Sequence, residues 1–266
     1  ANTTGASNSA LGEGALGANT TAGNNTAVGR NALGVVTTGG QNTAVGALAL
    51  DANTTAQENT AVGYEALTTT TTGGTNTGIG KQSLRLLTTG SGNTGLGLHG
   101  GHDVTTGSNN MLLGQDAGRS NSPSGSITTA SNTVCIGNSS ISAAHIQVAF
   151  QTGSDKRDKT DITDFNFGLD WVNKMRPVTY RWDNRDWYDN GTPDGSKKAP
   201  QLELGLIAQE ELEIEKEFGF GETKKDMLIS SINSNGSYTM KYDRIVPVLI
   251  NAIKELSAKV TALEAG

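Results

Sequence analysis

Glycine recurs at positions 12, 29, 46, 63, 80, 97 and 114, a step of 17 residues held over seven copies. A period of that length marks supersecondary units that stack on one another, each too small to bury a core alone. Two further columns keep phase with it. Thr-Thr pairs begin at 3, 20, 37, 54, 71, 88 and 105. A small residue followed by leucine stands at Ala15-Leu16, Ala32-Leu33, Ala49-Leu50, Ala66-Leu67 and Ser83-Leu84. An eighth, degenerate copy ends at Gly137, 23 residues after Gly114, so an insertion of six precedes it.

The local pattern predicts strands. In Asn25-Thr26-Ala27-Val28-Gly29, Thr26 and Val28 fall on one face and Ala27 on the other. Glycine supplies the corners and asparagine supports the adjacent turns. Repeated glycine and threonine oppose a helix at every turn. The expectation is a narrow β-solenoid of 17-residue coils, with the Ala and Leu columns pairing against neighbouring chains. His99, His102 and Asp103, where the Leu column lapses into glycine, form the one cluster that could bind a metal. Turn histidines are the ordinary reading of it, and no cofactor is expected. The six acids of this part show no paired arrangement, so no glycosidase dyad is expected.

Near residue 153 the composition changes. Residues 1–153 hold 10 of the 46 charged side chains and 2 of the 13 aromatics. We therefore read two domains, a repeat shaft or tip at 1–153 and a globular domain at 154–266. The formal net charge of −6, with no clustered basic face, argues against nucleic acid. The single cysteine, Cys135, cannot form an internal disulfide. No apolar stretch is long enough to span a bilayer and no signal peptide is visible, so no membrane insertion is expected. The chain opens in mid-pattern, which reads as a fragment of something longer.

In the second part, Leu169–Met175 reads as a short helix and Pro177–Trp182 as a strand. A polar loop follows to about Pro200, then a helix from Gly205 and a strand over Ser237–Tyr242. The tail, 244–265, is a long helix. Val246, Leu249, Ile253, Leu256, Val260 and Leu263 recur at alternating steps of three and four, the seam of a coiled coil. An amphipathic helix packed on its own domain is the simpler alternative.

The repeats resemble those of trimeric autotransporter adhesin heads and, more closely, those upstream of phage fibre chaperones. That resemblance implies three parallel β-rolls wound together. The second part resembles the intramolecular chaperones of phage tailspikes and fibres, the self-cleaving peptidase S74 family. Four motifs carry the likeness in order: Ser154-Asp155-x-Arg157-x-Lys159, Met175-Arg176-Pro177-Val178-x-Tyr180, Gly205–Glu210 and Tyr242–Pro247. The resemblance implies a homotrimer and an autocatalytic serine endopeptidase. Ser154 would be its nucleophile, Lys159 its base and Gly153–Ser154 the cleaved bond. A lysine can serve so only if burial or a nearby cation lowers its pKa. A solvated charge run at a domain boundary is the plain reading of the same residues.

The function expected is therefore that of a virion tail fibre or tailspike attaching to a host receptor, a glycan among the options. Its chaperone would be released in the host cytoplasm. A cellular trimeric surface adhesin is the alternative, although such adhesins end in a membrane-anchoring barrel. A membrane-tethered factor related to myelin regulatory factor would need DNA-binding and transmembrane segments that are not seen here.

Overall fold

The computed structural model describes residues 2–122, 124–141, 143–147, 152–233 and 236–266. The chain divides into two compact units, Ala1–Ala143 and Ala144–Gly266.

The first unit is a β-solenoid followed, in the second, by a small α+β region and a long terminal helix. Its strands are three residues each: β1 (Ser9–Leu11), β2 (Thr26–Val28), β3 (Thr43–Val45), β4 (Thr60–Val62), β5 (Thr77–Ile79), β6 (Thr94–Leu96), β7 (Met111–Leu113) and β8 (Val134–Ile136). They form one parallel sheet in chain order. Each residue pairs with the one 17 positions on, Thr26 with Thr43 and Ala27 with Ala44. At the last step Met111 pairs with Val134, so the insertion is looped out and the register survives.

The interior corrects one expectation. Ala27, Ala44 and Ala61 at the strand centres, and Leu33, Leu50, Leu67 and Leu84 beyond them, are fully buried within their own chain. These columns therefore do not face neighbouring chains. Alternation along each strand turns its central residue inward, so the first and third residues face outward. The leucines reach the interior from left-handed backbone, with φ of 49° to 53° at Leu33, Leu50, Leu67 and Leu84. That conformation costs roughly 1–2 kcal/mol per residue. Full burial of a leucine contributes about 1.5–3 kcal/mol and offsets it.

The lapse at Gly101 has a packing cause. A Cβ there would meet Leu112 Cδ1 at 2.6 Å and Leu84 Cδ2 at 2.7 Å. Leu112 stands at the strand-centre position held by alanine or glycine in β1–β6 and is fully buried. The large residue has moved from one column to the other. The corner glycines need their missing Cβ too: at Gly63, φ +135°, it would lie 2.5 Å from Gly80 O.

A second interior column is polar. Asn59 Oδ1 accepts from Asn76 N–H at 2.9 Å, and Asn59 Nδ2 donates to Gly73 O at 3.0 Å. The same pattern climbs from Asn8 to Asn110 and ends where Thr133 N–H donates to Asn110 Oδ1. Buried amides in an unbroken ladder leave no orphan donor.

In the second unit, α1 (Leu169–Val172), α2 (Ala208–Glu217) and α3 (Ile245–Glu264) accompany two antiparallel pairs. One joins β9 (Val178–Tyr180) to β10 (Glu203–Gly205), the other β11 (Ser230–Ile232) to β12 (Tyr238–Met240). α1, β9, β12 and α3 are shorter than the expected spans, α2 begins at Ala208 and not at Gly205, and β10 and β11 were not expected. Trp171, Ile214, Ile229 and Val248 make the core, with Phe165, Phe167, Phe218 and Phe220 packed around them. Trp171 stacks on Phe218 at 4.8 Å, and its Nε1–H donates to buried Glu211 at 2.8 Å. Glu215, fully buried, accepts from the backbone N–H groups of Leu228, Ile229 and Ser230. One carboxylate thus ties α2 to the start of β11. Among the described residues, no helix is long and apolar enough to cross a membrane.

Candidate functional site

The chain tightens into a 3-10 turn over Lys156–Asp158. Asp155 caps it: its side chain accepts Arg157 N–H at 2.9 Å. The Arg157 guanidinium closes back onto the same carboxylate, Nη2 to Oδ2 at 2.6 Å. Arg157 thereby holds the Asp155 carboxyl below its ordinary range. The turn folds residue 159 back over residue 154, and Lys159 Nζ donates to Ser154 Oγ at 2.6 Å. Both side chains are exposed.

The contact has the reach of a nucleophile and its base. Its direction is the reverse of what catalysis needs, because a base must accept the serine proton. Among the described residues the pair lies open to solvent. Gly153 lacks the positive φ of the corner glycines, and a Cβ there would meet nothing within 4 Å.

The other three motifs meet in space. The strand of the second pairs with the strand that leads into the third, Gly205 opposite Val178. Arg176 forms an ion pair with Glu210 through both Nε and Nη2. Tyr242, from the fourth, accepts Leu206 N–H at 3.0 Å. A Cβ on Gly205 would lie 2.6 Å from that tyrosine oxygen, so only glycine admits the approach. The Arg176–Glu210 pair and the Tyr242 bond were not foreseen as contacts; their presence inside the ordered motifs was the available signal.

Residues 154–220 match the peptidase S74 family model, chaperone of endosialidase. The match opens on Ser154 and takes in the Ser154–Lys159 contact, both middle motifs and α2. Over this segment the chain is similar to endosialidase chaperones, a family that implies a self-cleaving peptidase. No curated protein and no solved structure matches the chain.

Beyond the matched segment, α3 packs its first turns on the chaperone core. Val248 and Ala252 are buried, Asn251 Nδ2 donates to Phe165 O, and Glu255 accepts Leu169 N–H at 3.0 Å. A Cβ on Gly168 would meet Ala252 N at 2.6 Å, so the helix lies against bare backbone there. The heptad residues lie on an adjacent face of the helix. Val246, Leu249, Ile253, Leu256, Val260 and Leu263 are all exposed, from 41% at Leu249 to 82% at Leu263. The intrachain alternative accounts for Val248 and Ala252 and leaves the seam uncovered.

In the solenoid, the metal candidates pair off with carboxylates, the two histidine rings lying 5.5 Å apart. His99 Nδ1 meets Asp116 Oδ1 at 3.1 Å, while His102 Nδ1 meets Asp103 Oδ1 at 2.8 Å. Arg119 lies between the carboxylates, 2.9 Å from Asp116 and 3.6 Å from Asp103. Ser126 Oγ, beyond the insertion, donates to Asp103 at 2.7 Å. Burial pushes both aspartates up, but the arginine, histidine and other donors outweigh it and leave both below the ordinary range. Among the described residues no group of three His, Cys, Asp or Glu side chains is disposed to hold a metal ion. The cluster fastens the insertion to the neighbouring coils.

Proposed function

We propose that the chain is the C-terminal region of a trimeric phage-type fibre or tailspike. In this reading the chaperone aligns three copies and then cuts itself away at Gly153–Ser154. The observation that carries it is the 2.6 Å contact between Lys159 Nζ and Ser154 Oγ, formed by the residues on which the family match opens.

The exposed seam of α3 supports assembly, since six apolar side chains in heptad register are stable in water only against partner helices. Assembly in turn supplies what the dyad lacks. Covering Lys159 with a neighbouring subunit would disfavour its charged form. The amine could then accept the Ser154 proton as Oγ attacks the Gly153 carbonyl. The acyl carbon leaves the Ser154 nitrogen for its oxygen, giving an ester that water hydrolyses, and the proton held by lysine passes to the freed amine. Cutting would thus wait for assembly. Solenoids of repeated coils from several chains find their mutual register slowly, and removal of the template leaves a rod that cannot separate by its folding route. Attachment to a host receptor by the shaft, and a virion location, follow from the fibre reading.

Two substitutions test the chemistry. Ser154→Ala removes the nucleophile and should leave an intact chain of 27.5 kDa. Lys159→Ala should do nearly the same, because unassisted serine loses the roughly 10²–10⁴-fold contributed by a positioned base. Cleavage of Ser154→Ala at the same bond on a denaturing gel would refute the dyad.

A further inference from the structure

The outward face of the solenoid sheet carries no charge. Its outward residues are Ser or Thr followed by Leu, Val or Ile through β1–β6, then Met111 with Leu113 and Val134 with Ile136. The third position makes an apolar stripe along the sheet. Leu11, Val45, Ile79, Leu96 and Ile136 on it are exposed, and Met111 and Val134 widen it at the last two strands. Every charged residue of this unit lies off the strands.

We infer that this face is where a second copy of the chain docks, parallel and rung against rung. The inference rests on the assembly proposed above and names the surface the rods use. Three observations favour a second copy as the occupant. The stripe repeats once per coil, so a partner must present apolar groups at the same axial step, and this chain does so. Copies of a chain with net charge −6 repel one another, and this sheet face is free of like charge. The size also fits a contact that needs help. Eight strands at ~4.8 Å spacing and three residues wide give about 340 Å² in projection. That is well below the ~800 Å² per partner of a stable interface.

The same repetition makes the docking ambiguous. β2, β3 and β4 present identical Thr and Val pairs, so a slip of one coil preserves most contacts. Register must come from elements that do not repeat. The α3 seam is one and the widened apolar end at β7 and β8 is the other. A shaft built this way needs an aligning chaperone because its own contacts do not distinguish neighbouring registers.

The test uses the full chain with Ser154→Ala, so that α3 stays attached, and with Cys135→Ala, which restores the residue usual in that column. A single cysteine is placed at Val45 on the stripe or at Lys81, beyond the Gly80 corner, and treated with a short bismaleimide. Val45→Cys should shift the denatured band from chain mass to its multiples, while Lys81→Cys stays at chain mass. If light scattering shows an oligomer but Val45→Cys does not cross-link, or Lys81→Cys cross-links equally, the face assignment fails and the assembly stands. A monomer by scattering overturns both.

Discussion

Asn59 shows how much of the solenoid rests on single side chains. It is buried, its oxygen serves Asn76 N–H and its amide nitrogen serves Gly73 O. Alanine there leaves a donor and an acceptor without partners inside the rod, at about 1–3 kcal/mol each. We expect Asn59→Ala to lower solenoid stability by about 2–4 kcal/mol in denaturant unfolding, with no effect on cleavage. In the chaperone, Glu211 is the residue to watch. Burial raises its pKa, Glu215 raises it further, and the Trp171 N–H bond opposes them. A carboxyl with a raised folded pKa favours folding fully at low pH, and that contribution is lost as pH rises through the folded value. Glu211→Gln keeps an acceptor for Trp171 and removes the titration. Its melting temperature should therefore fall less than the wild-type value as pH climbs above the ordinary carboxylate range, and an unchanged pH slope would count against burial as the cause.

At the scale of elements, α3 serves two surfaces at once. Val248 and Ala252 hold it to the chaperone core, and the seam from Val246 to Leu263 is left to partner helices. Leu256→Asp should block assembly, read as a monomer by light scattering, while the core around Trp171 keeps its near-UV signal. The seam was legible because heptad spacing survives in any context. The coils were legible for a similar reason: glycine at a corner and alternation on a strand are local demands. Which face of the coil is inside was not, because a 17-residue period is the same for either choice. The asparagine ladder was also hidden, since asparagine beside glycine reads as a turn residue. β10 and β11 escaped notice because three residues are too few to establish alternation. At the site, the motif spacing marked Ser154 and Lys159, whereas the Asp155–Arg157 clasp that shapes their turn needed coordinates.

As a whole molecule the chain joins two parts with opposite folding problems. The solenoid has many equivalent registers and little apolar area per coil; the chaperone has one aromatic core and one seam. Compactness divides the chain between Ala143 and Ala144, ahead of the change of composition near residue 153. The central claim is that the second part sets the alignment of the first and is then cut away at Ser154. Its most direct test follows the purified chain in time by intact mass and native mass together. The account predicts that fragments appear only after the trimer does, and that the smaller begins at Ser154. Leu256→Asp should stay whole. Fragments from a chain that is monomeric throughout, or a smaller fragment beginning at any other residue, would contradict it.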